Sequence, residues 1–329
     1  MNILVTGAGG FIGGHLVKNL IKNKKNKIIA VDIKPLKKWF QKFDCENIQL
    51  NLIDFKNCKK ITKNINVVYN LACNMGGIQF IHENEFDCLL NVYINTNLIK
   101  ASIQNKVSKY FYASSACVYN INLQKNNKNI SLKEEDVFPA YPESGYGWEK
   151  LFSEQVCLAA KKFHNLDVKI ARFHNVYGPF ASWNDGKEKA PLAICRKIAI
   201  AKIKDLNEIE IIGDGNQTRS FMFIDDCIKG INLIMNSKKI LEPINLGSSC
   251  KITINELVDV VSNIAGVKLK KKYIKNIYSG VYSRNSNNQK IKKFLNWEPD
   301  TELFFGLKKT YEWIENKLIN SNSIHFNKV

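Results

Sequence analysis

A short apolar strand, Asn2 to Thr6, runs directly into Gly7-Ala8-Gly9-Gly10-Phe11-Ile12-Gly13, and a helical stretch, Phe11 to Lys22, follows at once. A glycine loop in that position admits few folds, because a βαβ dinucleotide unit needs a glycine at each of three points. Gly7 allows the tight turn, Gly10 lets the backbone approach a pyrophosphate, and Gly13 lets the helix pack closely. The helix then offers its free N–H groups and positive dipole end to the phosphates. A second strand, Lys27 to Asp32, closes the unit, and Asp32 stands where a carboxylate takes the adenosine ribose hydroxyls. An acidic group there repels a 2′-phosphate, so NAD is expected over NADP, a preference that Lys34, Lys37 and Lys38 weaken slightly.

Further strands are expected at Ile48 to Leu52, Val67 to Leu71, Lys109 to Ser114 and Val168 to Arg172. They alternate with helical stretches, two of them long: Glu83 to Asn105 and Pro142 to His164. This is an α/β pattern, a Rossmann-type doubly wound parallel sheet with helices on both faces. After Gly178-Pro179 the character changes to long polar loops (Ser182 to Lys189, Gly213 to Arg219) and shorter elements, among them helices Thr253 to Ala265 and Leu303 to Asn316. The expected organisation is an NAD-binding domain over 1–178 and a smaller α/β substrate-binding lobe over 179–320, with elements interleaved. A frayed polar tail over 321–329 completes it.

A chain of 329 residues, 45% of them hydrophobic and spread throughout, can build one large core and a second lobe. Nine cysteines without a C-x-x-C pair, and no His cluster at zinc spacing, argue against a disulfide framework or a metal site and for a reducing cytoplasm. No basic-then-apolar leader opens the chain and no apolar run is long enough for a membrane span. The net charge of +18 comes from lysines scattered in short runs without interleaved aromatic platforms, so no nucleic-acid partner is expected. The positive field would still draw in a small anionic substrate.

Tyr146 and Lys150 are four residues apart on a predicted helix, hence on one face. An ammonium beside a phenol favours the phenolate, which can then take a proton from an alcohol that Ser115 orients. Cys117, just past the end of a strand and beside that site, is a candidate acid/base group, although buried cysteine is often only a small apolar filler.

On these segments the chain resembles the extended short-chain dehydrogenase/reductases of the NAD-dependent epimerase/dehydratase superfamily, and within them the GDP-mannose 3,5-epimerase family. The matching stretches are Asn70-Leu71-Ala72 with Met75-Gly76-Gly77, Ala113-Ser114-Ser115-Ala116-Cys117, Tyr146 with Lys150, and Arg172 to Phe180. Lys187-Glu188-Lys189-Ala190-Pro191, Gly213 to Phe221 and Arg284-Asn285-Ser286 follow. The resemblance implies that NAD oxidises the hexose at C4 with Tyr146 as base. The ketone then acidifies C3–H and C5–H, and Cys117 and Lys189 move protons on opposite faces before C4 is reduced again. It implies cofactor contacts at Phe11, Ile12, Asn51, Leu71 and Ala72. For the GDP-sugar it implies Gly77, Ser115, Ala116, Cys117, Asn175 and Glu188, then Lys189, Ala190, Lys197, Gln217, Thr218, Arg219 and Arg284. The two arginines suit a diphosphate, since a guanidinium pairs two oxygens at once. Lys187 and Lys189 would raise the thiolate fraction of Cys117 if they lie close. A homodimer built on the two long helices is usual among relatives.

The chain departs from the family pattern at Asn51, where aspartate is usual, at Cys73-Asn74 in place of Ala-Asp, and in the segment from Asn120 to Asn129. Other reactions on this fold fit less well. A 4,6-dehydratase would carry Thr-Asp-Glu where Ser115-Ala116-Cys117 stands, a 4-epimerase needs no thiol, and a non-catalytic NAD- or RNA-binding relative would lose Tyr146 or Lys150.

Overall fold

Successive side chains along β1 (Asn2–Thr6) are buried on both sides: Ile3 and Val5 enter one apolar layer, Leu4 the other. A strand without a polar face belongs in the middle of a parallel sheet. The computed structural model, which describes residues 1–125, 131–275 and 280–320, places it there. β2 (Lys27–Asp32), β3 (Glu46–Gln49), β4 (Val67–Asn70), β5 (Lys109–Ser115) and β6 (Asp167–Phe173) join it in the order β6-β5-β4-β1-β2-β3, all parallel. A seventh strand, Ile244–Leu246, extends the sheet beyond β6. The sheet is therefore the expected doubly wound one, and the strand order reverses between β1 and β4, which opens a crevice at their C-terminal ends.

One face of the sheet packs on helix α1 (Phe11–Leu20) and on Ile224–Asn236; the other packs on Phe55–Ile61, Asn91–Gln104 and Gly145–His164. Beyond Gly178, Glu208–Ile212 pairs in parallel with Lys270–Ile274, and Thr218–Ser220 lies between Lys251–Thr253 and Ser283–Arg284. The last helix, Leu303–Asn320, packs against helices Ala190–Ile203 and Ile254–Ala265. The polar tail expected over 321–329 lies outside the described residues.

Several boundaries differ from expectation. The single helix expected over Glu83 to Asn105 is two, Glu85–Leu89 and Asn91–Gln104, preceded by a further helix, Ile78–Glu83. Asn84 makes the first break and Leu90 separates the other two helices. The Asn84 backbone leaves the helical region (φ −125°, ψ 37°) while its amide donates to the Phe80 carbonyl. The Asn91 side chain is committed to both backbone groups of Asn74. The helix expected from Pro142 starts at Gly145, whose N–H donates to Glu85 Oε1 at 2.6 Å across to the broken helix. The loop expected over Gly213 to Arg219 ends in the strand Thr218–Ser220, and the last helix runs four residues past Asn316.

Candidate active site

The glycine loop is shaped by close approach. Gly7 has φ +69°, and a Cβ there would lie 2.6 Å from the Leu71 carbonyl oxygen at the end of β4. A Cβ on Gly13 would lie 2.1 Å from the Gly7 carbonyl oxygen, so α1 rests directly on the turn. Gly10 caps α1 without a side-chain hydrogen bond, leaving the first turn, with Phe11 and Ile12, open to an anion. Asp32 is buried at the end of β2, with Oδ1 accepting from Lys34 N–H at 2.9 Å. Lys34 itself is turned over the Phe40 ring, and burial lowers its pKa. Lys37 and Lys38 are exposed. Trp39 closes the loop from outside, its indole against Gly9 and its Nε1 donating to the Lys34 carbonyl. Ala72 N–H donates to Thr6 Oγ1 at 3.3 Å, which ties β4 to β1 at the crevice. Asn51 is exposed and organises its own turn, accepting from Ile53 N–H and Asn57 Nδ2. A left-handed glycine, an uncapped helix start and a buried carboxylate at the end of β2 together fit a dinucleotide.

Helix Gly145–His164 presents Tyr146 and Lys150 on its buried face. Lys150 Nζ donates to Tyr112 OH at 3.2 Å, lies 3.7 Å from Glu149 Oε2, and sits 5.6 Å from the centre of the Tyr146 ring. Burial alone would discharge this ammonium, but Cys73, Glu149 and Tyr146 hold its pKa above the ordinary lysine range. Burial raises the Tyr146 pKa well above that of a free phenol; Cys73 and Cys117 add to this, and Lys150 opposes it. In the free enzyme the phenol is therefore the protonated partner, and the ammonium is the charge that favours its ionisation.

Cys117 belongs to a 3-10 turn, Ala116–Val118, capped by Ser115, whose Oγ accepts from Cys117 N–H at 3.1 Å. The helix carrying Tyr146 touches this turn because residue 147 is glycine: a Cβ there would lie 2.3 Å from the Cys117 carbonyl oxygen. Cys117 is half-buried and packs against the cluster of Ile81, Cys88 and Tyr146, which Cys73 also borders. Arg284 Nη1 donates to its sulfur at 3.4 Å. Lys189 caps helix Ala190–Ile203. Burial lowers its pKa and Arg284 lowers it further, while Cys117 opposes both. Lys187 donates to Asn74 Oδ1 at 3.2 Å and lies over the Phe80 ring, and the cation hydrogen-bonded to the thiol is Arg284.

Gly77 packs against the backbone of Lys187 and Glu188, a close approach that leaves no room for a Cβ. Glu188 pairs with Arg196 at 2.7 Å, and its other oxygen is buried without a partner. Lys197 Nζ donates to the Glu210 carbonyl at 3.0 Å, and burial lowers its pKa. Asn175 (φ +24°) bridges to the Ser220 carbonyl. Thr218 bonds Ser283. Gln217 Oε1 is buried and unpaired, as a group awaiting a ligand would be. Arg219 donates to the carbonyls of Thr218, Val281 and Tyr282, and burial, then Arg284, lowers its pKa to about 10. Ala190 opens the helix that Lys189 caps. Among the described residues no group of three or more His, Cys, Asp or Glu could hold a metal ion, and no helix is long and apolar enough to cross a membrane.

Sequence reasoning passed over Tyr112 and Glu149, which hold Lys150, and Glu143 and Gln124, which hold Arg284. Glu149 adjoins Lys150 and was open to notice. Gln124 is 160 residues from Arg284 and carries no local signal.

A doubly wound sheet with this loop, and a Tyr/Lys helix beside the crevice, defines a dinucleotide-dependent enzyme of the short-chain dehydrogenase/reductase type. The chain belongs to the NAD dependent epimerase/dehydratase family, whose profile matches residues 3–247. Within it, the chain is 40% identical to GDP-mannose 3,5-epimerase of Arabidopsis thaliana over 320 residues, 97% of this chain and 83% of that protein. Among solved structures it is similar to the UDP-glucose 4-epimerase of Thermotoga maritima with UDP-glucose (TM-score 0.86, 26% identity, covering 97% and 100% of the two chains). It is likewise similar to the UDP-glucuronic acid 4-epimerase of Bacillus cereus in complex with UDP-glucuronic acid and NAD (TM-score 0.82, 26% identity, 96% and 100%).

Proposed function

We infer that the protein is an NAD-dependent isomerase of nucleotide sugars that epimerises GDP-mannose at C3 and/or C5, giving GDP-L-galactose and/or GDP-L-gulose. The observation that supports this reading is that Cys117 packs against the apolar cluster containing Tyr146 and lies near enough to both Tyr146 and Lys189 to act on their charge. A 4-epimerase needs the phenol alone.

NAD, which the glycine loop, the start of α1 and Asp32 would hold, would supply the acceptor and later the donor of the hydride at sugar C4, with no net redox change. Tyr146 must first lose its proton, which the Lys150 ammonium beside it favours; the phenolate then takes the proton of the C4 hydroxyl as the hydride leaves, and the phenol gives it back when C4 is reduced. The C4 ketone lets C3–H and C5–H ionise, because the carbanion delocalises into an enolate. Cys117 and Lys189 then remove and return protons from opposite faces, which inverts the carbon. Burial suits Lys189 to the task by favouring its neutral, basic form. Ser115 orients the C4 hydroxyl, Arg219 and Arg284 are assigned to the diphosphate, and the unpaired Gln217 Oε1 can accept from a donor of the nucleotide sugar. Asp32 receives the adenosine ribose of the cofactor.

The reading includes a homodimer in a reducing cytoplasm. Phe86, Tyr93, Trp148 and Phe152 are exposed on the adjoining helices Glu85–Leu89, Asn91–Gln104 and Gly145–His164, an apolar face that fits a second copy. All nine cysteines are free thiols. The test of the chemistry is Cys117→Ala with GDP-mannose. The variant should still oxidise C4 and accumulate reduced nicotinamide absorbance without inverting C5. A variant that inverts C5 at the wild-type rate removes Cys117 from the mechanism.

A further inference from the structure

Glu143, in the loop before helix Gly145–His164, has no part in the steps above, yet it is nearly buried and touches the site. Its Oε1 accepts from Val281 N–H at 3.1 Å and its Oε2 from Arg284 Nη2 at 2.7 Å. Arg284 Nε donates in turn to Gln124 Oε1 at 2.6 Å. With those two bonds in place, Nη1 is the edge of the guanidinium left facing Cys117 Sγ, at 3.4 Å. We propose that Glu143 is the positioning residue of the thiol: it fixes Arg284 so that the guanidinium stays hydrogen-bonded to the sulfur while the sulfur gives and takes the sugar proton. The proposal rests on Cys117 being that proton carrier.

The geometry explains why a carboxylate is needed. Both groups facing Glu143 are donors, one a backbone N–H and one a guanidinium N–H, so both of its oxygens must accept. The cations keep it ionised: burial alone would raise its pKa, but Arg284 and Arg219 bring it below the usual carboxylate range. An amide of the same shape has to turn its NH₂ toward one of the two donors, which costs Arg284 or Val281 its partner. A long arginine side chain freed at one end loses its single orientation.

Charged or titratable groups bear on Cys117 from several elements: Arg284 from strand Ser283–Arg284, Arg219 from Thr218–Ser220, Lys189 at its helix cap and Tyr146 from its helix, with the Cys73 and Cys88 thiols in the same apolar cluster. Removing the Glu143 charge has two opposed effects on the sulfur. Less negative charge nearby favours the thiolate, and a displaced Arg284 disfavours it. The Arg284 N–H touches the sulfur while the carboxylate acts from the far side of the guanidinium, so displacement wins.

The test is Glu143→Gln in the NAD-loaded enzyme, with iodoacetamide alkylation of Cys117 followed by peptide mass across pH. The expected midpoint rises by about one pH unit, so that alkylation near pH 7 is about tenfold slower, since the thiolate is the reacting form. Glu143→Asp should recover part of the shift, and Gln124→Met should move the midpoint in the same direction. A Glu143→Gln midpoint equal to or below the wild-type value overturns the proposal. If that variant fails to bind NADH, the other two decide, and an unchanged midpoint in both overturns it. Alkylation needs no sugar, so the outcome is separate from that of the epimerase reading, which falls instead if the wild-type enzyme does not turn over GDP-mannose.

Discussion

Gly147→Ala probes the contact that brings the thiol and the phenol together. The added Cβ would sit 2.3 Å from the Cys117 carbonyl oxygen and 2.8 Å from Pro142 Cβ, where ordinary contact begins near 3.4 Å. The helix and the Ala116–Val118 turn must therefore part by about 1 Å. Overpacking of that kind costs about 1–3 kcal/mol. Replacing a helical glycine by alanine returns about 1 kcal/mol, so net destabilisation should be modest, about 0–2 kcal/mol. Activity should suffer more, because a 1 Å misplacement of reacting groups can cost about 100-fold in rate. The assay pairs thermal unfolding with the initial rate of GDP-mannose epimerisation. Gly14→Ala is the control: it lies in α1, and its nearest contact would be the Gln41 side chain at 3.2 Å. If Gly147→Ala epimerises within about twofold of wild type, the contact does not set the catalytic geometry and the reasoning fails.

Gly13→Ala should weaken NAD binding at least tenfold in a fluorescence titration, because a Cβ 2.1 Å from the Gly7 oxygen pushes the helix N-terminus off the phosphate turn. For pH, burial lowers the Lys189 pKa, so its neutral base form appears as pH rises, at a pH below that of a free lysine near 10.4. The rate of proton exchange should show that ascending limb, and Lys189→Met should abolish it in a pH–rate profile. Trp148→Glu combined with Phe152→Glu should halve the mass measured by light scattering, since both rings are exposed on the face assigned to a second copy.

What the sequence made legible was local. The run Asn2 to Gly13 codes its own turn, because each glycine answers a steric demand within a few residues or at the adjacent strand. Tyr146 and Lys150 share a face through helical spacing alone. The break at Asn84 was hidden because asparagine is tolerated in helices and ends them when its side chain finds a backbone partner; here that partner is the Phe80 carbonyl. The pairing of Glu208–Ile212 with Lys270–Ile274 joins segments far apart in the chain, and alternating charges such as Lys272 opposite Glu208 and Glu210 concealed the strands. The set Gln124, Glu143 and Arg284 around Cys117 exists only after folding, so composition and spacing could not announce it.

The most direct test is a proton NMR time course of the wild-type enzyme with NAD and GDP-mannose in deuterium oxide. Transient oxidation at C4 predicts loss of the C5 proton signal, with growth of L-galactose- or L-gulose-series resonances carrying deuterium at the inverted carbon. Inverted product at C4 alone, with C3 and C5 still protiated, would contradict the account.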